Sequence, residues 1–303
     1  MSKPAHTPYD GSAKPFTIGL RPLDLHDWME IDDRFCDYLA QKEALNGSRR
    51  DVVFKAAPGA AKAQAETLKL IAEHLPHRYP DLYRRDGSRM HIVPNGAQVD
   101  LTGEEPPLLT AGRLVQEDLV LMIRPEGGEG WVLGAASLCF PSSWSLKEKF
   151  GQTMEVIHGA IPGFGPGTRN AVLIDRMFSN LRPELPVQRV NWSLDSEEDL
   201  HHPKAKTDRV RLPFLDPGFD NTFIRVERQT LRRLPESGAV LFTIKVYVDP
   251  VAALLRHGKG AELAEGLAGQ IAALDEAQLA YKGMAGRREA LVDLLKRVSD
   301  ATA

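Results

Sequence analysis

Two neighbouring segments, 223–231 and 239–248, alternate in polarity and are joined by the turn-forming residues Pro-Glu-Ser-Gly. Alternation at a period of two predicts β-strands, and a link of this kind predicts an antiparallel hairpin. One face of the second strand is wholly apolar: Val240, Phe242, Ile244, Val246 and Val248. We expect this face to lie in a core and the other face of the pair to be presented elsewhere.

In the first strand, Arg225, Glu227 and Gln229 follow one another on a single face, between Phe223 and Leu231. This row is either a solvated surface or the floor of a site. The apolar residues at both ends of the row favour a site.

The bulk properties exclude several classes of protein. The chain has 303 residues, a net charge of −3 and 43% hydrophobic residues, which is typical of a globular protein. The negative balance argues against nonspecific nucleic-acid binding, and no apolar run approaches the ~20 residues of a membrane span. Two cysteines, Cys36 and Cys139, are too few for a disulfide framework and are expected to be buried thiols. Since the N-terminus also lacks a secretory signal, a cytoplasmic location is expected.

The remaining patterns predict an α+β fold with a central antiparallel sheet and helices at both ends of the chain. Residues 1–22 are expected to form an extended arm and 23–303 a single domain. Beside the hairpin above, a second hairpin is predicted at 119–140, a strand at 188–193 and a loop at 203–219. Helices are predicted at 25–42, 60–74 (ending before Pro76), 144–157 with Ser143 as its cap, 170–181, 250–281 and 286–299. In the helix at 144–157, Lys147, Glu148 and Lys149 are expected to point outward.

Few residues are spaced for catalysis. The chain has no Gly-x-Ser-x-Gly elbow and no His-Glu-x-x-His metal motif. His158 stands at the end of a predicted helix and precedes a run rich in glycine and proline. It is either a helix cap or, because the glycines permit close approach of a flat molecule, an axial ligand for haem iron. The hairpin arginines, Arg225, Arg228, Arg232 and Arg233, could pair with haem propionates.

At these residues the sequence resembles the haem-dependent oxidative N-demethylase (dimethylamine monooxygenase) alpha-subunit family. The resemblance spans roughly residues 113–248. The matching segments are Arg113 with Gln116-Glu-Asp-Leu119, Leu138-Cys-Phe-Pro-Ser-Ser-Trp144 with Lys149 and Gly151, Ile157-His158 with Ile161-Pro162, Arg189-Val-Asn-Trp192, and Arg225-Val-Glu-Arg-Gln-Thr-Leu-Arg-Arg-Leu-Pro235 with Phe242-Thr-Ile244.

The resemblance implies a PAS-like fold that holds haem b and uses O2 to oxidise a small secondary amine such as dimethylamine. The N-methyl group would leave as formaldehyde. Electrons would come from NADPH through a separate reductase subunit carrying FMN and a 2Fe-2S cluster, in a hetero-oligomer. The chain itself has no dinucleotide fingerprint or cysteine cluster, which fits that division.

The resemblance also implies roles for individual residues. His158 would be the axial iron ligand, and Arg225 would bind iron-bound oxygen or a propionate. Glu227 would hold the substrate ammonium, with Gln229 completing its network. Trp144 and Trp192 would line the haem or amine pocket, although core packing explains them equally well. The alternative function is a haem-binding PAS-like sensor or carrier without oxygenase turnover.

Overall fold

The computed structural model of the chain describes residues 3–125, 127–128, 130–203 and 217–302. Most of the loop predicted at 203–219 lies outside these ranges. Ten strands lie within them: β1 Arg21–Pro22, β2 Phe54–Ala56, β3 Tyr83–Asp86, β4 Arg89–Ile92, β5 Ala97–Asp100, β6 Asp118–Ile123, β7 Val132–Ser137, β8 Val187–Asp195, β9 Phe223–Arg233 and β10 Val240–Pro250.

Seven strands form one antiparallel sheet in the order β1-β8-β9-β10-β6-β7-β2, and β3-β4-β5 form a smaller sheet. The hairpin predicted from alternation is β9 and β10, whose pairing runs from Arg233 with Val240 to Phe223 with Pro250. The second predicted hairpin is β6 and β7. A large antiparallel sheet with flanking helices confirms the α+β prediction, whereas its PAS-like character stays a prediction.

One expectation about the central hairpin is wrong. The apolar face of β10 and the polar row of β9 were expected on different sides of the sheet. Directly paired residues of an antiparallel sheet point to the same side, and the register pairs Ile244 with Gln229 and Val246 with Glu227. The polar row is therefore bordered by apolar side chains from the neighbouring strand.

Helices cover both faces of the large sheet. They are α1 Phe35–Ser48, α2 Arg50–Val53, α3 Ala61–Arg78, α4 Pro107–Gly112, α5 Leu146–Lys149, α6 Met154–His158, α7 Arg169–Asn180, α8 Gly260–Ala272, α9 Glu276–Lys282 and α10 Arg288–Thr302. Within the described ranges, none of the helices has the length and apolar composition that crossing a lipid bilayer demands.

Several helix boundaries differ from the prediction. The helix expected at 25–42 begins only at Phe35, because Asp32 accepts a hydrogen bond from the Arg34 N–H and holds a turn before it. The helix expected to stop before Pro76 continues to Arg78, where the Tyr79 N–H bonds to the Leu75 carbonyl. The segment 250–281 is divided by Asp275, whose capping box with Gln278 starts α9.

The helix predicted over 144–157 is instead two short helices, α5 and α6, capped by the side chains of Ser145 and Thr153. Between them Gly151 has φ +75°, a left-handed conformation that glycine adopts readily. The connecting backbone also bonds to the sheet, since the Gly151 N–H donates to the Leu133 carbonyl. This break changes the direction of the side chains that follow Gly151.

The large sheet separates three groups of buried side chains. On one face, residues such as Val120, Met122 and Ile244 pack with α5, α6 and α7. On the opposite face, α3 and the small sheet cover one part. The C-terminal helices α8 to α10 cover another part, against residues such as Trp192 and Val226. Residues of the large sheet therefore belong to different environments according to their position in the alternation.

Candidate functional site

A cavity of about 250 Å³ lies on the face of the large sheet that α5, α6 and α7 cover. Together with its open mouth, the space between the lining residues is about 1550 Å³. Its apolar wall includes these side chains from strands and helices: Val120, Met122, Leu133, Leu231, Phe242, Ile244, Met154, Ile157, Ile174, Met177 and Phe178. Such a wall excludes water and strengthens every electrostatic interaction of the few polar groups inside.

The polar floor of the cavity comes from β8 and β9. Cross-strand pairing sets Asn191 beside Glu227 and Arg189 beside Gln229, so these four side chains point to the same side. The Gln229 amide donates a hydrogen bond to a Glu227 carboxylate oxygen at 2.8 Å. Glu227 and Gln229 are thus in direct contact, while their common role toward a substrate stays a prediction. The second carboxylate oxygen of Glu227 receives no hydrogen bond from the described residues.

Two cations in the cavity wall, Lys149 and Arg189, have no ion pair or hydrogen bond to a side chain or backbone group of the described residues. The Arg189 Nε is buried and lacks any acceptor. The Lys149 ammonium lies 4.6 Å from the centre of the Trp144 ring. Burial lowers the pKa of Lys149 to about 8, although Glu227 partly opposes this shift. Burial also lowers the pKa of Arg189, again against the influence of Glu227.

The sequence analysis did not assign a role to either cation. Lys149 was expected to point outward, because a continuous helix over 144–157 was assumed. In the structure Lys149 is the last residue of α5 and lies in the cavity wall. Arg189 alternates with Gln188 and Val190 in β8 and shares the side of Asn191, so the period of two could have identified it as a site residue.

His158 lies in the cavity wall at the end of α6. Its Nδ1 is 2.9 Å from the Met154 carbonyl oxygen, and because a carbonyl can only accept, Nδ1 carries the proton. The lone pair is then on Nε2, for which the described residues supply no hydrogen-bond donor. Burial lowers the pKa of His158, with Lys149 and Arg189 adding to the effect. The side chain is therefore a neutral imidazole of fixed tautomer, the form that binds metals.

The N-terminal arm and the end of α9 close another side of the cavity. Phe16, Ile18 and Leu20 contribute to its wall, and the Phe16 ring meets the Tyr281 ring edge-on at 5.8 Å. Burial raises the pKa of Tyr281 to about 12, so its hydroxyl stays protonated. The segment predicted as an extended arm is thus part of the site.

Arg225 shares the strand face of Glu227 but lies behind the cavity wall, 2% exposed. Its guanidinium donates to the Ser142 hydroxyl at 2.7 Å. It also donates to three backbone carbonyls, those of Phe140, Asp199 and Leu200. With its donors used in this way, Arg225 holds the loop that contains Ser142, which does line the cavity. Arg225 itself is not one of the residues that line the cavity.

Arg228, Arg232 and Trp192 lie on the opposite face of the sheet. Arg228 is paired with Glu30 at 2.9 Å, and Arg232 stacks over the Trp28 ring at 4.3 Å. The Trp192 indole N–H donates to Gln270 in the group formed with the C-terminal helices. Each is an odd number of residues from Glu227 or Asn191 in its strand, so the alternation directs it away from the cavity. Of the two tryptophans, only Trp144 lines it.

A second group of residues of the types that bind metals lies outside the cavity lining. Asp195, Glu197 and His202 each place one ligand-type atom within 4.8 Å of the others. The two ring nitrogens of His202 face different carboxylates, Nε2 toward Asp195 and Nδ1 toward Glu197, each at 4.0 Å. This arrangement suits ion pairs between the His202 imidazolium and the two carboxylates as well as it suits a bound metal cation.

The cavity residues fit a haem group by their chemistry. His158 offers an available Nε2, Lys149 and Arg189 offer cations that lack anions, and the apolar wall matches a porphyrin face. The Arg189 Nε is among the buried side-chain atoms that have no hydrogen-bond partner in the described residues, whereas buried polar groups normally have partners.

Comparison with known families gives an independent result. The model of the family described as "Haem-dependent oxidative N-demethylase, alpha subunit-like" matches residues 19–292. The match begins within the arm, just before Leu20, and covers both strands of the cavity floor, the His158 segment and most of the C-terminal helices.

Proposed function

Since the chain belongs to the haem-dependent oxidative N-demethylase, alpha-subunit-like family, we propose that it is the haem-binding subunit of an oxygenase that removes a methyl group from a small secondary amine. The substrate we propose is dimethylamine or an amine of similar size. The family name supports haem dependence and a multi-subunit assembly. The amine is the one that the sequence resemblance implies, and Glu227 is the cavity group that suits an ammonium ion.

One observation carries the proposal: a single cavity contains both His158, with its Nε2 available, and the Glu227–Gln229 pair. His158 would bind the iron through Nε2, while the Met154 carbonyl keeps the ring oriented. Glu227 would bind the substrate ammonium, because a cation removed from water needs a paired anion. Gln229 would hold the carboxylate in place through its amide.

Haem, when bound, supplies the oxygen-activating chemistry. In the overall reaction, dimethylamine, O2, two electrons and two protons give methylamine, formaldehyde and water. We propose that the electrons come from NADPH through a partner subunit with FMN and a 2Fe-2S cluster. Trp144 and the apolar side chains around it would keep bulk water from the reacting methyl group.

The test is a haem titration of the purified protein followed by addition of dimethylamine, with the Soret absorption as the measurement. We expect saturable haem binding and a Soret band that shifts with the amine. His158→Ala should change the iron ligation spectrum, whereas His26→Ala, at a side chain 61% exposed outside the cavity, should not. A His158→Ala variant with the wild-type spectrum would contradict the assignment.

The amine part of the proposal is tested separately. Glu227→Gln should weaken amine binding roughly tenfold or more, since a charged hydrogen bond is worth about 1.5–3 kcal/mol. The matched variant Glu155→Gln, at an exposed position of α6, should bind the amine as the wild type does. Haem binding that ignores every small amine would favour the haem-binding sensor instead.

A further inference from the structure

The positive charges of Lys149 and Arg189 are not compensated within the described part of the chain. Both side chains lie in the wall of an apolar cavity, and within the described part of the chain neither has an anionic partner or a hydrogen-bond acceptor. A buried charge without a partner is costly. Proteins retain such groups where a bound ligand supplies the missing charge, and here the ligand must be an anion.

We propose that Lys149 and Arg189 bind the two propionate carboxylates of haem and thereby fix how the group sits against His158. This inference rests on the proposed function, because it assumes that haem occupies the cavity. It assigns the carboxylate contacts to residues other than the hairpin arginines that the sequence suggested.

The other cations near the sheet do not serve this purpose as well. Arg225 already donates to four protein oxygens, and Arg228 is paired with Glu30. Lys282 also lines the cavity, but its ammonium donates to the Trp192 carbonyl oxygen. Arg232 lies across the sheet over Trp28.

Propionates at this position would also offset the excess positive charge of the cavity wall. Lys149, Arg189 and Lys282 carry three positive charges against the one negative charge of Glu227, and of these cations Lys282 already donates to the Trp192 carbonyl oxygen. Two propionates would offset Lys149 and Arg189, which leaves Glu227 available for one ammonium ion. Without the propionates, a cationic amine would enter a cavity wall that already carries an excess of unpaired positive charge. The assignment therefore explains how one cavity can hold both cations and a cationic substrate.

The experiment compares haem b with its dimethyl ester, in which both carboxylates are neutral. Binding of each compound is measured by Soret titration to the wild type, Lys149→Gln and Arg189→Gln. The matched controls are Lys147→Gln and Arg176→Gln, which change exposed residues of α5 and α7. Urea unfolding of each protein without haem provides a second measurement that does not depend on ligand or activity.

We expect each cavity variant to bind haem b roughly tenfold to a hundredfold more weakly than the wild type does. The dimethyl ester should bind to wild type and variants with equal affinity, and the controls should match the wild type with both compounds. Without haem, the cavity variants should be at least as stable as the wild type, because each loses an unpaired buried charge.

Three results would overturn the inference. Equal losses of affinity for haem b and the ester would show that the cations act through the fold. Unchanged haem affinity in both variants would mean that they serve another anion, such as a carboxylate on the substrate. If the wild type bound neither compound, the proposed function itself would fail, and this outcome is distinguishable because it does not depend on the variants.

Discussion

The two faces of the large sheet around β9 both carry charged side chains but pair them very differently. On the face turned toward the N-terminal residues, Arg228 meets Glu30 at 2.9 Å and Lys245 meets Asp32 at 3.0 Å. Glu30 also accepts hydrogen bonds from His6 at 2.8 Å and from the Tyr247 hydroxyl. We call this set the paired face. On the cavity face, Glu227, Lys149 and Arg189 influence one another without an ion pair.

This difference separates charged residues that have partners within the fold from charged residues that have none among the described residues. The cations of the paired face are almost completely buried, and their partners come from the segment before α1, so breaking a pair would leave a charge without compensation. The cations of the cavity face already lack compensation, so removing one should cost the fold little. Stability measurements on the two faces should therefore give opposite results.

The largest effect is expected for Glu30→Ala on the paired face. The substitution leaves the Arg228 guanidinium buried without its anion, and we expect a loss of about 3–5 kcal/mol in the free energy of unfolding. The measurement is urea unfolding without haem. The matched control is Glu236→Ala, which breaks an exposed pair with Lys69 and should leave the free energy of unfolding close to that of the wild type. Equal losses in the two variants would mean that the paired face contributes no special stability.

A smaller effect is expected on acidification. Although burial alone would raise the pKa of Glu30, the hydrogen bond and charge of His6 and the charge of Arg228 lower it from 4.5 to about 2. A depressed carboxyl pKa stabilises the folded state above the unfolded value, and this stability is lost as the pH falls through the folded value. Between pH 5 and 2 the wild type should therefore lose on the order of 3 kcal/mol more than Glu30→Ala does. Parallel pH profiles would contradict this source of acid sensitivity.

Much of the assignment of residues to the two faces could be predicted from the sequence. Alternation predicted β9 and β10, and it put Glu227 and Gln229 on one face, where they line the cavity. The same alternation puts Arg228 and Arg232 on the other face, but the sequence analysis considered all the hairpin arginines together as propionate partners. The register supplied what alternation could not, because only pairing shows that Ile244 borders Gln229.

The parts that escaped prediction depend on contacts between distant segments. Lys149 lies in the cavity wall although it was expected to point outward, and what reads as one helix ends at Lys149, before a left-handed glycine and a bond from Gly151 to Leu133. Arg225 is withdrawn from the site by carbonyls of residues 140, 199 and 200. Neither arrangement leaves a periodic signal in the sequence. His158 was predictable as a site residue, but its tautomer required the position of the Met154 carbonyl.

The last effect expected is an alkaline one. Here too stability rises with pH, but because a cation in an apolar wall loses its charge rather than because a paired carboxylate gains one. Burial lowers the pKa of Lys149 from 10.5 to about 8. Between these values the unfolded chain binds more protons than the folded protein does, so the stability of the haem-free protein should rise with pH across this window.

Lys149→Gln removes this contribution, and the difference between the two proteins isolates it from titrating tyrosines. We expect the difference in unfolding free energy to change steadily from pH 7.5 to 10.5, about the window set by these pKa values. The difference should shrink once haem is bound, because a propionate favours the charged ammonium. If the difference stayed constant with pH, Lys149 would be solvated like an ordinary surface lysine, and the contrast between the two faces of β9 would have to be drawn from Arg189 alone.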